Sequence, residues 1–204
     1  QMAVDPNHFA ARVSLRPIEV GSLGAYSKGM NSAIMAANLA ANANIVSFRN
    51  GNANIMLIRK VTLTMGGLAT AFTAGQATFS MFVARSFTAS DTGGTAAALT
   101  LNQAKLRTGF GTSTVTDLRW STTAALTAGT RTLDTDPMAS ISLGIGVAVS
   151  TIYIPASTEL WAPEVGQYPL ILAQNEGFVI QATVPATGTW SYSARVTWDE
   201  VTTY

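Results

Sequence analysis

Cysteine is absent from this chain of 204 residues, and histidine occurs only once, at His8. The absence of cysteine excludes disulfide bonds, thiol nucleophiles and cysteine-bound zinc or iron–sulfur centres. A single histidine excludes a metal site built from several imidazoles. His8 lies close to Pro6 in an extended segment, where a rigid catalytic base is hard to hold. We therefore interpret His8 as a surface or interface residue.

Charged residues are also scarce, at 11% of the chain against about 25% in an average soluble domain. The formal net charge is +1. The only adjacent basic pair, Arg59 and Lys60, lies between the apolar residues Ile58 and Val61. Binding to nucleic acid through phosphate neutralisation is therefore not expected. A surface so poor in charge suits burial against other subunits.

Long hydrophobic runs are missing as well. A membrane-spanning helix needs roughly 18 consecutive apolar residues. The most apolar windows, Ser32–Ala43 and Ala139–Ile154, are interrupted by Asn, Ser, Gly and Thr. The first residues, Gln1–Arg12, contain Asp5 and His8 and lack the apolar centre of a secretory signal. The sequence predicts neither a membrane span nor a secretory signal.

Motifs that carry chemistry are not found. The glycine clusters Gly66–Ala71 and Gly109–Ser113 lack the lysine and the following helix of a phosphate loop, and no G-x-S-x-G elbow occurs. None of the eleven carboxylates is marked as one of a catalytic pair. Asp134 and Asp136 resemble half of a calcium loop, but an Asx-turn before Pro137 is the simpler interpretation. We expect no catalytic residue, metal or cofactor.

What the chain does contain is a series of short β-type segments separated by turn residues. Ile55–Met65 is closed by Gly66 and Gly67, and Ala77–Phe87 alternates between apolar and polar residues. The segment Met30–Ala41 is compatible with a strand or a short helix. Thr88–Thr116 is predicted to be a surface excursion. The remaining predicted strands are Ile45–Arg49, Asp117–Ser121, Met138–Thr151, Pro169–Ala173, Phe178–Val184 and Thr189–Glu200, with a loop at Tyr153–Gly166.

Eight to ten short strands with turn-rich links predict an all-β fold, an antiparallel β-sandwich of jelly-roll type. The first residues contain Pro6 and Pro17 and no helical spacing, which predicts an extended arm. We therefore expect an N-terminal arm at residues 1–20 and a single β-sandwich domain at residues 21–204. Such an arm either pairs at a sheet edge or reaches a neighbouring molecule.

Glu176 lies between two apolar runs and raises the question of catalysis. Asn175 and Gly177 flank it, which predicts a tight hairpin connection. A second turn at Pro185–Gly188 would make Pro169–Val201 three consecutive antiparallel strands. Glu176 is then a turn residue that hydrogen-bonds backbone amides.

Trp190, Tyr192 and Trp198 have the same parity along the last predicted strand and should share one face. An aromatic face on a sheet is more often core or subunit interface than a platform for sugars. The alternative is a carbohydrate-binding module that stacks sugars on Trp120, Trp161 or Trp190.

The segment Pro169–Val201 resembles the C-terminal part of a group of tailed-bacteriophage virion proteins. The similarity is tightest at "LAQNEGFVI", Leu172–Ile180. "GSLGAYSKG" at Gly21–Gly29, "ALTAGTRTLD" at Ala125–Asp134 and "ELWAP" at Glu159–Pro163 also resemble that group. The resemblance covers most of the chain, and its motifs carry no chemistry of their own.

This resemblance implies a capsid decoration, or cement, protein on the outside of the phage head. Its partner would be the major capsid protein, and it would be a homotrimer that suits local three-fold positions of the shell. Another virion role, such as a head fibre base, a minor capsid or a tail component, is the alternative. An enzyme is the least favoured class. The predicted interface residues are Phe9, Arg12, Leu15, Trp190, Tyr192 and Trp198.

Overall fold

A computed structural model describes residues 3–4, 11–12, 22–35, 39, 41–70, 75–100, 103–145, 158–164 and 166–204. These residues form fourteen strands and no helix, so none of them belongs to a helix that could cross a membrane. The strands are β1 (Ala3–Val4), β2 (Ala11–Arg12), β3 (Ser22–Asn31), β4 (Ala43–Asn50), β5 (Ile55–Thr70), β6 (Gly75–Phe87), β7 (Thr95–Ala96), β8 (Asp117–Trp120), β9 (Arg131–Leu133), β10 (Ala139–Ile145), β11 (Thr158–Trp161), β12 (Leu170–Leu172), β13 (Glu176–Thr183) and β14 (Thr189–Val201).

Two antiparallel sheets make up the body of the fold. Sheet I has the strand order β10-β6-β13-β4-β8-β7, and β9 also pairs with β6. Sheet II has the order β11-β5-β14-β3, and β12 also pairs with β5. Strands β1 and β2 pair only with each other.

Eight strands carry the connectivity of a jelly roll: β3, β4, β5, β6, β10, β11, β13 and β14. When these eight strands are numbered 1 to 8 along the chain, their side-by-side order is 1-8-3-6 in sheet II and 2-7-4-5 in sheet I. This arrangement is the double-sheet order of two interleaved Greek keys. The predicted antiparallel β-sandwich of jelly-roll type is confirmed. The boundary predicted between residues 20 and 21 lies outside the described residues.

The core between the sheets is formed by alternate residues of the long strands. In β6, buried Phe79 and Met81 alternate with half-buried Thr78 and Ser80, as the period-2 pattern predicts. Aromatic rings join the layers. Trp198 of sheet II meets the Phe48 ring of sheet I edge-on at 5.6 Å, and the Phe48 ring stacks on Phe178 at 5.2 Å.

Several strand predictions were correct in type and differed in extent. The strands predicted at residues 45–49, 77–87, 117–121, 169–173, 178–184 and 189–200 correspond to β4, β6, β8, β12, β13 and β14.

The ambiguous segment 30–41 contains strand residues at its start and an isolated bridge from Met35 to Trp190, and its described part contains no helix. The predicted loop at residues 153–166 was wrong in part because β11 lies within it. Residues 146–151 of another predicted strand lie outside the described residues.

The end predicted for β5 at Gly66 and Gly67 was also wrong, because the strand continues to Thr70. The partner strand β14 shifts its register between Trp190 and Tyr192 at this level. A Cβ atom on Gly66 would lie 2.4 Å from Ser191 Oγ. The glycine therefore permits a close approach of two strands at a bulge and does not end the strand.

The turn that contains Glu176 connects the two sheets. Strand β12, before it, pairs with β5 of sheet II, whereas β13, after it, pairs with β4 and β6 of sheet I. Strand β14 then returns to sheet II. The predicted hairpin at Glu176 and the predicted series of three consecutive antiparallel strands were therefore wrong, since consecutive strands here alternate between the two sheets.

Candidate functional site

The three predicted aromatic interface residues lie in the core. Trp190, Tyr192 and Trp198 are at most 1% exposed and point between the sheets. They do share one face of β14, as their parity predicts, but that face is the inner one. The Tyr192 hydroxyl donates to the carbonyl of Ile45 at 2.7 Å, which ties β14 to sheet I. Their assignment to a subunit interface is corrected accordingly, since buried rings offer no surface to a partner.

The other three predicted interface residues belong to the arm. Arg12 is the last residue of β2, where only the backbone is described. Phe9 and Leu15 lie outside the described residues. Their role in contacts therefore remains a prediction.

Two carboxylates are fully buried among the residues that the structure describes, and the first of them, Glu200, lies at the end of β14. It accepts hydrogen bonds from the Thr114 amide at 2.9 Å, from the Thr114 hydroxyl at 2.8 Å and from Trp198 Nε1 at 3.1 Å. Neighbouring Tyr26 donates to the Gly111 carbonyl at 3.0 Å. Burial, and secondly the charge of Glu200, raises the pKa of Tyr26 to about 12. These groups hold the loop before β8 against sheet II.

The second buried carboxylate, Asp91, forms an ion pair with Arg131. Asp91 also accepts a hydrogen bond from the Gly129 amide at 2.9 Å. The guanidinium of Arg131 lies 5.3 Å from the centre of the Phe87 ring, within cation–π range. Burial lowers the pKa of Arg131. Asp91 thus joins the loop after β6 to the first residue of β9 and to the Gly129 amide just before it.

The remaining singled-out carboxylates have structural partners. Glu176 Oε2 accepts a hydrogen bond from the Ala173 amide at 2.8 Å, as predicted for a turn residue. Asp134 pairs with Arg85 at 3.1 Å near the surface. No group of three or more His, Cys, Asp or Glu side chains that could hold a metal ion occurs within the described residues. The carboxylates that sequence patterns single out thus support turns and loops.

A polar cleft of about 700 Å³ lies on the outer face of sheet II. Its floor carries Thr62 and Thr64 of β5, Ser193 and Arg195 of β14, and Gly29 of β3. The Lys60–Glu159 ion pair borders it. Small hydroxyl side chains with three charged residues, Lys60, Glu159 and Arg195, make a surface for polar contacts.

The tryptophans proposed for sugar stacking do not line this cleft. Trp190 is in the core. Trp120 is half-buried and donates its Nε1 hydrogen to the Asn31 carbonyl at 3.0 Å. Trp161 packs against the core. The geometry therefore gives no aromatic platform for a carbohydrate among these three residues.

Exposed apolar side chains gather at one end of sheet II, which we call the arm end. Leu23, Leu106, Tyr168 and Tyr204 are 37%, 60%, 77% and 54% exposed. The Tyr168 and Tyr204 rings meet edge-on at 6.2 Å. The Leu106 amide donates to the carbonyl of Ala25, two residues after Leu23. β3 begins at this end, where its first residue, Ser22, pairs with Val201.

Sequence reasoning missed both the arm end and the two buried carboxylates. Leu106 lies in a stretch interpreted as a surface excursion, and Tyr168 lies next to a predicted strand. The sequence pattern does indicate that Glu200 faces inward. Alternate residues of a strand lie on the same face, and Glu200 is two residues after Trp198, on the face that also carries Trp190 and Tyr192. Asp91 has no such pattern around it. Comparisons with protein-family models, with curated proteins and with solved structures found no match to this chain.

Proposed function

We propose that the chain is a bacteriophage capsid decoration protein. It binds the major capsid protein on the outside of the head as a homotrimer and stabilises the shell without catalysis. The proposal starts from the resemblance of residues 169–201 and of three shorter motifs to phage virion proteins. The jelly-roll fold is compatible with it, because viral capsid proteins are among the proteins that use this architecture. Fold alone does not decide function.

The use of the buried carboxylates supports a structural role. Glu200 and Asp91 both have zero exposure. Each holds a long loop on the sandwich through hydrogen bonds or an ion pair. A general acid or base must reach a substrate proton within hydrogen-bond distance, and these two groups face the protein interior. Their contribution is to rigidity, which lowers the cost of binding a large partner.

The observation that carries the proposal is the arm end. Leu23, Leu106, Tyr168 and Tyr204 account for four of the six exposed large hydrophobic side chains in the described part of the chain. Clustered exposed apolar residues mark contact surfaces, and tyrosine is enriched at them. The chain enters β3 at the same end, at Ser22. The patch offers a contact surface for the capsid, and the predicted arm offers a separate contact for a neighbouring molecule.

Shell stabilisation then follows from binding energy. A protein that binds the assembled shell more tightly than free capsid subunits shifts the equilibrium towards the shell. The stabilisation grows with occupancy and needs no covalent chemistry. In a trimer, three copies can bind the shell at the same time. Once one copy is bound, the other two are at a high effective concentration, so the trimer binds more tightly than a single copy.

Binding to heads tests the proposal directly. Heads of the phage that encodes the chain are assembled without it, mixed with purified protein and sedimented. We expect saturable co-sedimentation, and heated heads that retain DNA to a higher temperature when the protein is bound. An absence of co-sedimentation, or density on the tail in electron micrographs of complete particles, would contradict a decoration role. Tail density would favour the alternative of a tail component.

A further inference from the structure

The free edges of a β-sheet tend to pair with other chains, and proteins usually block them. One edge of sheet II, β3, is covered. The Ser27 amide donates to the carbonyl of Ala104 at 2.7 Å, and the Leu106 amide donates to the carbonyl of Ala25 at 2.9 Å. Trp120 Nε1 donates a hydrogen bond to the carbonyl of Asn31 at 3.0 Å. Other segments of the same chain therefore prevent a further strand from pairing with β3.

Two further edges are protected by other means. The β7 edge of sheet I is two residues long. The other edge of sheet II is formed by β11 and β12, which are four and three residues long and separated along the chain. β11 also carries a register shift between Glu159 and Trp161, and Glu159 places a charge there. Short strands, bulges and charges are the common devices that prevent edge pairing.

The fourth edge, β10, has none of these devices. It is seven residues long, keeps an unshifted register with residues 75–81 of β6, and contains no charged residue and no proline. No other strand in the described part of the chain pairs with its outer side. On the outer face, Ser140 and Ser142 hydrogen-bond to Ser80 and Thr78 at 2.9 and 3.1 Å. On the inner face, Ile141 and other apolar side chains are only partly buried.

We infer that the edge of β10 is the docking site for residues 11–16 of the N-terminal arm of a second copy of this chain. In "ARVSLR", apolar Ala11, Val13 and Leu15 alternate with Arg12, Ser14 and Arg16. Alternation with this period fits a strand with one buried face. An added strand would extend the inner apolar layer with its three apolar residues and leave the arginines outside. Ala11 and Arg12 already have strand geometry in β2.

The arm of the same chain is too short to reach this edge. Ser22 lies at the same end of the sandwich as Phe87, and Ala139, the first residue of β10, pairs with Met81 of β6, six residues from Phe87. Six strand residues span about 20 Å. β10 also lies against β11, on the side of the sandwich opposite β3, so the path must cross three strand spacings, about 14 Å, and the roughly 10 Å between the sheets. These distances combine to about 26 Å, whereas the six residues from Arg16 to Ser22 extend at most about 22 Å. A second copy must therefore supply the segment.

The contact is heterologous, because an arm of one copy meets an edge of another. Such contacts close into a ring when the rotation between copies allows it. Three copies that each donate an arm form the homotrimer of the proposed function. The inference rests on that trimer and does not depend on capsid binding.

Disulfide cross-linking between two copies of the chain tests the contact. The native chain has no cysteine, so only the introduced cysteines can react. A Ser14→Cys variant is mixed and reassembled with a Ser140→Cys or Ser142→Cys variant, then oxidised mildly. We expect a cross-linked pair in the mixture whose β10 cysteine lies opposite residue 14, and none with Ser86→Cys, which is exposed on β6 outside the β10 pairing. Absence of arm-to-edge cross-links overturns the inference. A disulfide formed by Ser142→Cys alone also overturns it, because two β10 edges would then pair with each other.

Size-exclusion chromatography with light scattering provides the second measurement. The full chain is expected at three times its 21.3 kDa mass. Deletion of residues 1–20, or Val13→Ser with Leu15→Ser, is expected to give monomers with unchanged circular dichroism. Ser14→Ala with Arg16→Ser, on the face that points away from the core, is the matched control and keeps the trimer. A truncated protein that remains trimeric contradicts the inference. An arm-dependent trimer that does not bind heads would leave this inference intact and refute the proposed function.

Discussion

The Glu200 carboxylate accepts hydrogen bonds from both the amide and the hydroxyl of Thr114, at 2.9 and 2.8 Å, across 86 residues of sequence. Neither partner is part of a predicted motif. The contact joins the end of β14 to the loop that precedes β8. Hydrogen bonds to an ionised group are about twice as strong as those between neutral groups. The loop is thus held by these charge-assisted bonds together with Leu99 and Val115, which belong to the core.

Glu200→Gln is expected to lower the free energy of unfolding by about 1–3 kcal/mol, because the new amide group faces hydrogen-bond donors and loses charge-assisted bonds. Glu159→Gln is the control. Its ion pair with Lys60 is about half exposed, and exposed pairs contribute about 0–1 kcal/mol. Urea unfolding measures both values. Equal effects of the two substitutions would contradict the role assigned to Glu200.

Arg131→Met leaves the buried carboxylate of Asp91 without its ionic partner. The loss of one member of a buried pair costs about 3–5 kcal/mol. The double variant Asp91→Leu with Arg131→Met should recover most of that loss, since no buried charge remains. Arg85→Met removes the more exposed partner of Asp134 and should cost less than about 1 kcal/mol. Thermal unfolding of the three variants and the native protein would show whether this order holds.

Stability should fall in alkaline solution. The pKa of Tyr26 is raised to about 12, and burial also raises the pKa of Tyr192. The folded chain thus holds these protons more tightly than the unfolded chain, whose tyrosines ionise near pH 10. The stabilisation is complete below about pH 10 and is lost as the pH rises towards 12. Urea midpoints measured across this range should decline, and the decline should be shallower in Tyr192→Phe. A flat profile would disagree with this assignment.

Gly177→Ala should destabilise the sandwich strongly. A Cβ atom there would lie 2.2 Å from the carbonyl oxygen of Phe48 and 2.8 Å from the Phe87 ring. Overpacking of this kind costs about 1–3 kcal/mol or more. Gly144→Ala on β10 is the matched control, because its Cβ would meet no atom within 4 Å. The difference in melting temperature between the two variants checks the prediction, and similar values would refute it.

The arm end should affect binding and leave folding intact. Leu106→Ser with Tyr168→Ser removes two exposed side chains. The free energy of unfolding should therefore change by no more than about 0.5 kcal/mol, as for ordinary surface substitutions. Co-sedimentation with heads should weaken at least tenfold, because apolar contact area is lost at the interface. Ile34→Ser removes an exposed apolar side chain elsewhere and should bind normally. Equal binding by all three proteins would exclude the arm end as the contact.

The sequence predicts the layers better than their connections. Alternation in residues 77–87 and 189–200 predicts β6 and β14 because each has one face in the core. Parity also groups Trp190, Tyr192 and Trp198 correctly. It does not distinguish the inner face from the outer one, because both core and interfaces accept aromatic rings. The turn at Asn175 looks like a hairpin locally, and only the pairing of β12 with β5 places its two strands in different sheets.

The buried polar contacts were beyond prediction for a related reason. Glu200 meets Thr114 across 86 residues, and Asp91 meets Arg131 across 40. Such pairs depend on which loops the sheets bring together, and local patterns do not contain that information. β9 was missed because its three residues contain a single apolar side chain and no alternation, and β11 was missed because Pro155 and Pro163 on either side of it indicated a loop.

The jelly-roll order has a consequence for synthesis and folding. The first and last strands of the sandwich, β3 and β14, are direct neighbours, and the hydroxyls of Ser27 and Thr197 meet at 3.3 Å across 170 residues. Proteins dominated by such distant pairings fold slowly, because loop-closure entropy is lost before the contacts form. Sheet II also lacks its central strand until β14 has been made. A nascent chain that stops before residue 189 therefore has no complete sheet II, and the sandwich forms only after translation has passed its last strand.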